Sequence, residues 1–339
     1  MTHVVTLIPG DGIGPEITEQ TLRAVAAAGA VIQWDEQPAG MAAFHAGGDP
    51  LPEVTLASIR RTRAALKGPL TTPVGADAGF RSVNVELRKR FELYANLRPA
   101  MTIQPGRYDG IDIVLVRENV EGLYSGVEHF IKVGDDPHAV GVSQAIVTRY
   151  ACERVIRYAF EFAARHGRKL VSIVHKANIL RMASGLFLEV GRAVAQEYAG
   201  RVAVNEYIVD NCAMQLVLKP EQFDVIVTTN LFGDILSDEI SGLVGGLGLT
   251  PGGNIGSEAA VFEAVHGSAP DIAGKGVANP SAQMLAAAML LDHLGEVEAA
   301  RRLRGAIVAT IREDGIRTRD LGGSAGTREF GDAVVARLG

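Results

Sequence analysis

Phe223-Asp-Val-Ile-Val-Thr-Thr229 runs straight into Asn230-Leu-Phe-Gly-Asp-Ile-Leu-Ser-Asp238. The first stretch is a short β-branched run of the kind that forms a fully buried strand, and the second has helical spacing. A strand feeding directly into a helix is the unit from which α/β proteins are built. The helix reading also puts Asp234 and Asp238 on one face, at i and i+4, with β-carbons about 6 Å apart. Two carboxylates so placed repel each other unless a cation lies between them. Hard oxygen ligands at a helix start, beyond a strand end, suit Mg²⁺ or Mn²⁺ rather than zinc. A solvated helix face is the competing reading and, for the pair alone, the stronger one.

Working outward, β-branched runs alternate with helical patterns along the chain. Strands are expected at Val4–Ile8, Ile111–Val116, Leu170–Val174, Val202–Val209, Val225–Thr228 and Ala259–Glu263. Helices are expected at Glu16–Ala28, Val83–Arg90, Tyr150–Arg165, Gly185–Tyr198, Asp234–Val244 and Pro280–Leu294. The alternation predicts an α/β protein. At 339 residues the chain is long for one core, so two lobes are expected. One stretch departs from the pattern: Gly122–Lys132 and Ala139–Val147 read as two strands around a turn in Gly134-Asp-Asp-Pro-His138. A bare two-stranded ribbon is marginal, so it must pack elsewhere, on another subunit or on the chain's own surface.

Composition narrows the function classes. A net charge of −6 speaks against nucleic acid or an anionic membrane as partner, while leaving room for a small anionic substrate held by local arginines. Cys152 and Cys212 are the only cysteines, too few for a disulfide framework or a thiolate metal site, which suits a reducing compartment. The first residues enter a strand-like run with no signal-peptide core and no arginine-rich leader. No apolar stretch is long enough to span a bilayer. A cytoplasmic protein is expected.

Ile8-Pro-Gly-Asp-Gly-Ile-Gly-Pro-Glu16 follows the first strand and opens a helix. Gly10, Gly12 and Gly14 have the wrong spacing for a dinucleotide fingerprint, and a tight strand-to-helix turn with Pro15 near the first helical position fits as well. Three arginines carry more information. Arg88 lies on a helix, Arg98 closes the run Phe91–Leu97 and Arg117 closes Ile111–Val116. Two of them therefore sit at strand ends, where open α/β sheets bind ligands. Converging guanidiniums grip carboxylates through paired charge-assisted hydrogen bonds, whereas each arginine taken singly reads as a surface ion pair.

Six longer motifs occur in order: Gly10-Asp-Gly-Ile-Gly-Pro-Glu16, Leu87-Arg-Lys-Arg-Phe-Glu-Leu-Tyr-Ala-Asn-Leu-Arg-Pro99, Arg117-Glu-Asn-Val-Glu-Gly-Leu-Tyr124, His175-Lys-Ala-Asn178, Asn230–Asp238 and Glu263-Ala-Val-His-Gly-Ser-Ala-Pro-Asp-Ile-Ala-Gly274. With them the chain resembles, over essentially its whole length, the β-decarboxylating dehydrogenases of malate-type substrates, which act on isocitrate, 3-isopropylmalate, homoisocitrate or tartrate. The resemblance implies a two-domain α/β fold of the isocitrate/isopropylmalate dehydrogenase kind. This fold is not a Rossmann domain, and it carries a β-hairpin arm in its smaller domain. It implies a large cofactor-binding domain over 1–98 and 253–339, and a small domain over 99–252 for dimerisation and for the metal and substrate site.

By the same resemblance Arg88, Arg98 and Arg117 hold the substrate's carboxylates. Asp234 and Asp238 bind the Mg²⁺ or Mn²⁺, with Asp210 supplied by the other subunit of a homodimer. Lys176 also crosses the dimer interface and acts in removing the hydroxyl proton. Tyr124 donates a proton to the enolate carbon after CO₂ leaves. Cofactor contacts are implied at Thr72, Glu263, His266, Gly267, Ala269, Asp271, Ile272 and Asn279. A Lewis acid on the hydroxyl oxygen favours its deprotonation and then stabilises the enolate. A lysine serves as a base near neutral pH only if its surroundings depress its pKa. Outside the motifs, Lys176 and Tyr124 would read as surface and core residues.

The resemblance also bears on substrate and nucleotide. Lys67–Gly75 and Arg81–Val85 correspond to the part that faces the variable arm of the substrate. Relatives acting on isocitrate carry a serine matching Ser82 and an asparagine matching Asn84, both able to hydrogen-bond a third carboxylate. Relatives acting on isopropylmalate have apolar residues there, since an isopropyl group against Ser and Asn would leave polar atoms unpaired at about 1–3 kcal/mol each. Isocitrate is the expected substrate. The alternatives are 3-isopropylmalate and homoisocitrate, whose enzymes typically carry a different loop with an additional arginine. Ser82 can also be a helix N-cap, and it matches a phosphorylation site of some bacterial relatives, where a phosphate would repel the substrate. Asp271-Ile272 stands where NADP-dependent relatives carry Lys-Tyr. Aspartate accepts from free ribose hydroxyls and repels a 2′-phosphate, so NAD is expected. A non-catalytic regulatory subunit is the alternative of another class. Such chains tend to lose catalytic residues, and Tyr124, Lys176, Asp210, Asp234 and Asp238 are all present.

Overall fold

The computed structural model describes residues 2–71, 82–104, 106 and 108–339. They fall into two compact units: Met1–Leu93, Arg98–Ile111 and Ser241–Gly339 form the first, and Tyr94–Leu97 with Asp112–Ile240 form the second. The chain begins in the first unit with β1 (His3–Ile8), α1 (Gly14–Ala27), β2 (Ile32–Glu36), α2 (Gly40–Gly47), α3 (Glu53–Thr62), β3 (Ala64–Lys67) and α4 (Val83–Arg90). β4 (Ala95–Met101) has residues in both units. The second unit continues with β5 (Asp112–Glu118), β6 (Gly122–Val133), β7 (Asp136–Ile146), α5 (Arg149–Arg165), β8 (Leu170–His175) and α6 (Ala183–Glu197). It is completed by β9 (Ala203–Ile208), α7 (Val209–Leu218), β10 (Val225–Thr228) and most of α8 (Asn230–Val244). The chain then returns to the first unit with β11 (Pro251–Ile255), β12 (Ala260–Ala264), α9 (Ser281–His293), α10 (Val297–Arg312) and α11 (Thr327–Leu338).

Strands of the first unit lie in the order β2-β1-β3-β12-β11, parallel except for the antiparallel pair β11–β12. Those of the second lie in the order β5-β10-β8-β9, all parallel. Residues 113–116, 171–174 and 225–228 are buried end to end, as in parallel sheets covered on both faces. The expected α/β class is what the chain adopts.

Helices reveal their places by pattern. Residues 281–288 of α9 are all buried, followed by Leu290 and Leu291, so the helix has no polar face and must be a core element. It packs against α1, α10 and β12 at the heart of the first unit. In the second unit α5 is amphipathic. Cys152, Val155, Ile156, Ala159, Phe160 and Ala163 recur at helical spacing, forming the buried face of a helix that packs on α6. The Thr148 side chain caps its start, accepting from the Ala151 N–H at 3.1 Å.

Three expectations shift. α8 begins at Asn230, so Asp234 sits in the second turn instead of at the helix start. Arg98 and Arg117 lie inside β4 and β5 instead of just beyond their ends, because backbone pairing continues past the apolar run. Only Gly134 and Asp135 separate β6 from β7, with Gly134 at a positive φ of 60° that suits so tight a reversal. The β6–β7 ribbon forms its own two-stranded sheet and exposes Leu123, Val127, Phe130, Ile131 and Val140. Among the described residues no helix is long and apolar enough to cross a membrane.

Candidate active site

Arg117, Tyr124, Asn230 and Asp234 meet in the second unit. Arg117 of β5 pairs in register with Thr228 of β10, two residues before α8 begins. The arginine therefore faces the first turns of the helix that follows its neighbouring strand. Its guanidinium is buried, and a buried cation needs partners for its donors. Nε and Nη2 donate to Asn230 Oδ1 at 3.0 and 2.7 Å, and Nη1 pairs with Asp234 Oδ1. Tyr124, on β6, donates its hydroxyl proton to Asp234 Oδ2 at 2.5 Å, and the guanidinium carbon lies 5.0 Å from its ring centroid. Burial, and then the hydrogen bond to Asp234, push the Tyr124 pKa above the ordinary tyrosine range, against the opposing charge of Arg117. The phenol therefore holds its proton at neutral pH.

A second cluster joins Lys176, just after β8, to Asp210 in the first turn of α7. The two form an ion pair, and the Lys176 hydrogen bond, helped by the Asp210 backbone N–H, holds that carboxyl below the usual aspartate range. An aspartate in a helix's first turn is also favoured by the helix dipole. The segment after Lys176 exposes Ile179, Leu180 and Met182, and α7 exposes Met214, Val217 and Leu218. Among the described residues of the chain, no group of three or more His, Cys, Asp or Glu could hold a metal ion. Asp210, Asp234 and Asp238 are nonetheless hard oxygen donors of the kind Mg²⁺ and Mn²⁺ take, and a carboxylate has lone pairs beyond those that Arg117 and Tyr124 use on Asp234.

The first unit holds Arg88, Arg98 and the expected cofactor residues. Arg88 of α4 stands 3.9 Å from Glu263 of β12, which also takes Lys67 Nζ at 2.6 Å and Asn254 Nδ2 at 2.7 Å. Burial alone would raise the Glu263 pKa. The charges of Lys67 and Arg88, with hydrogen bonds from Lys67 and Asn254, outweigh it and hold the carboxyl at about 2. Arg98 is buried in β4. Ser82 occupies the N-cap position of α4 without a side-chain capping bond. Asn84, in the first turn of that helix, has a buried Oδ1 that meets no hydrogen-bond partner among the described residues. Thr72 lies outside the described residues.

The glycine turn at 10–14 proves to be a packing device. A Cβ on Gly12 would lie 2.0 Å from the Ser268 carbonyl, and one on Gly10 would lie 2.5 Å from that of Pro69. Asp11 N–H and Ile13 N–H are already committed to those two carbonyls, at 2.7 and 2.9 Å. The Asp11 carboxylate accepts from the N–H groups of Met41, Ala42 and Thr71 at 3.0, 3.1 and 2.8 Å, and Thr71 Oγ1 bonds Ser268 Oγ at 2.6 Å. The turn thus anchors the loop that carries His266, Gly267, Ala269, Asp271 and Ile272.

In that loop the His266 ring donates from Nδ1 to the Gly267 carbonyl at 3.0 Å, leaving Nε2 buried with no partner among the described residues. Burial lowers its pKa, so the ring is neutral and Nε2 is an acceptor. Gly267 is exposed and Ala269 takes a positive φ of 39°. Asp271 is exposed, while Ile272 packs on Ile13, Ile17 and Ala278. Asn279 donates to Asp320 at 2.9 Å and accepts from the Ser281 N–H at 2.9 Å. An unpaired acceptor and an exposed carboxylate on one anchored loop fit the hydroxyls and amine of a nucleotide. Nothing in the sequence marks Asn230 or Lys67 as a site residue, although Asn230 opens the Asn230–Asp238 motif and Lys67 opens the Lys67–Gly75 stretch.

This fold and these residues define a class. A family model described as isocitrate/isopropylmalate dehydrogenase matches residues 4–334, and the chain belongs to that family. Among curated relatives, it is 50% identical over 339 residues to the isocitrate/homoisocitrate dehydrogenase of Thermus thermophilus, spanning 100% of this chain and 99% of the relative. It is 47% identical over 346 residues to an isocitrate dehydrogenase [NADP] of the same organism, spanning 99% and 68%. The crystal structure of isocitrate dehydrogenase from Methylococcus capsulatus matches with a TM-score of 0.95 and 55% identity, covering 99% of each chain. The chain is a dehydrogenase of the isocitrate/homoisocitrate kind.

Proposed function

We propose that the chain catalyses the NAD-dependent oxidative decarboxylation of isocitrate to 2-oxoglutarate and CO₂, with Mg²⁺ or Mn²⁺, as a homodimer whose sites draw on both subunits. The start of α4 carries the choice of substrate. Ser82 and Asn84 stand at a helix N-terminus, with Arg88 one turn on. Such an end favours an anion, which suits the third carboxylate of isocitrate and not the isopropyl group of 3-isopropylmalate. Homoisocitrate, with the same three carboxylates on a longer arm, is the alternative. Asp271, exposed on the anchored loop, favours NAD over NADP by accepting ribose hydroxyls and repelling a 2′-phosphate.

In this reading the first unit binds the cofactor, and Arg88, Arg98 and Arg117 hold the substrate's carboxylates. Asp234 and Asp238 of one subunit, with Asp210 of its partner, hold the divalent ion. When bound, that ion supplies Lewis acidity at the substrate's hydroxyl oxygen, and NAD⁺ accepts the hydride. Lys176 takes the hydroxyl proton. It shares an ion pair with Asp210, so Asp210 acting as a ligand would release the lysine towards substrate. Tyr124, which keeps its proton at neutral pH, gives it to the carbon that CO₂ leaves. The exposed apolar residues on the segment after Lys176, on α7 and on the β6–β7 ribbon support a second copy of the chain as partner. Steady-state rates with isocitrate, homoisocitrate and 3-isopropylmalate, each with NAD⁺ and NADP⁺ and with and without Mn²⁺, test the reading. A specificity constant highest for any substrate other than isocitrate overturns it.

A further inference from the structure

Arg117 reaches Asp234 through a slot that another residue holds open. A Cβ built on Gly233 would lie 2.6 Å from Arg117 Cγ and 2.7 Å from its Cβ, so the arginine stem runs against the bare backbone of α8. Beyond the slot, two of its donors end on a single atom, Oδ1 of Asn230. The Asn230 amide admits one orientation. Arg117 can only donate and the Glu121 carbonyl can only accept, so Oδ1 must face the arginine and Nδ2, 3.0 Å from the Glu121 carbonyl, must face away. Behind Glu121 the turn is set by the buried Glu118 carboxylate, which accepts from the N–H groups of Val120 and Glu121 at 2.9 Å each. Asn230 itself is wholly buried.

We propose that Asn230 is a positioning residue that fixes the Arg117 guanidinium, in the slot opened by Gly233, at the orientation from which it meets Asp234 and the substrate. The part concerning substrate rests on the role given to Arg117 above. The 118–121 turn and the start of α8 are thereby locked into one unit, with Asn230 as the pin. Without it Arg117 keeps its charge but loses the two hydrogen bonds that set the plane of its fork.

Steady-state kinetics and arginine Nε–H NMR of the intact enzyme test this together. Asn230→Ser should raise the KM for isocitrate about tenfold or more while kcat changes less and the KM for NAD⁺ stays within about twofold. In an Arg117→Gln background the same change should add less than about twofold, since its target is gone. An Nε–H resonance slow to exchange, assigned by its loss in Arg117→Lys, should disappear in Asn230→Ser. Gly233→Ala, with its folding checked by circular dichroism, pushes the arginine stem from its slot and should also raise the KM for isocitrate. An unchanged KM with a protected resonance in Asn230→Ser, a full additional loss in the double variant, or an unchanged KM in Gly233→Ala would each overturn the proposal. Should the wild-type chain fail to oxidise isocitrate, the resonance still decides whether Asn230 holds Arg117, so the two readings fail separately.

Discussion

Lys67 and Glu263 form a buried ion pair, Nζ to Oε2 at 2.6 Å, with side chains only 2% and 10% exposed. Arg88 stands on the far side of the same carboxylate. The helix α4 that carries Arg88 is thus tied to the sheet through a shared anion, and the charge state of that anion matters to stability.

Glu263 titrates at about 2 in the folded protein, against an ordinary 4.5. Its folded pKa is lowered, so its contribution is fully present above the unfolded value and is lost as pH falls from about 4.5 towards 2. That contribution is at most about 3 kcal/mol. Urea unfolding of wild type and Glu263→Gln should therefore show a wide gap at about pH 7 and 5, shrinking to roughly half by about pH 3 and closing only towards about pH 2. A gap that stays constant over that range would mean that Glu263 is not the anion of this cluster. Lys67→Met should cost about 3–5 kcal/mol at neutral pH, because it removes the nearest counter-charge of a buried carboxylate.

Tyr124 tests the proton-donor role. Tyr124→Phe keeps the ring beside Arg117 and deletes only the hydroxyl that bonds Asp234. A positioned general acid contributes about 10²–10⁴-fold, so kcat should fall at least about a hundredfold with a small change in the KM for isocitrate. Since the phenol's pKa is raised, the wild-type rate should show no tyrosine ionisation in the neutral range. A loss confined to KM would point to substrate binding and remove Tyr124 as donor.

Much of the fold was legible because buried parallel strands leave unbroken apolar runs, as in Val225–Thr228. Of the strands that were missed or only partly read, three break that rule for physical reasons. β2 is Ile-Gln-Trp-Asp-Glu at the edge of its sheet, where one side of the ladder is open and polar residues are tolerated. β4 contains Pro99, and β11 starts Pro-Gly-Gly, which reads as a turn until β12 pairs with it. α8 was read four residues short because Gly233 and Asn230 look like loop residues. Gly233 is helical, however, and the missing side chain is the space Arg117 fills. In the site, charged residues could be read through their motifs, since charge alone announces a ligand. Asn230 could not, because a neutral amide acquires a role only from the partners that β5 and the 118–121 turn bring to its two ends.

The proposed preference for NAD rests on Asp271. Replacing Asp271-Ile272 by Lys-Tyr removes a carboxylate that repels a 2′-phosphate and supplies an ammonium that attracts it. The ratio of kcat/KM for NADP⁺ to that for NAD⁺ should rise at least about tenfold, equivalent to about 1.4 kcal/mol. Ile272 packs on Ile13 and Ile17, so melting temperature should be followed alongside to separate a lost contact from a changed preference. If the ratio does not move while the fold is intact, discrimination lies elsewhere on the chain.

The proposed sharing of sites between subunits admits a test that no single variant provides. Lys176 and Asp210 are bonded to each other, and Arg117, Tyr124 and Asp234 form another cluster; in the proposed homodimer each cluster would be half of a different site. In a homodimer of this kind, Lys176→Gln disables the partner's site and Asp234→Asn disables the chain's own. Each variant alone should be nearly inactive. Unfolded together and refolded as a mixture, they should assort at random, so about half of the dimers are mixed and each mixed dimer has one intact site of two. Activity should then return to about a quarter of wild type. Sites built from a single chain would leave the mixture as inactive as its components. That result would remove Lys176 and Asp210 from the partner's site, along with the requirement for a dimer.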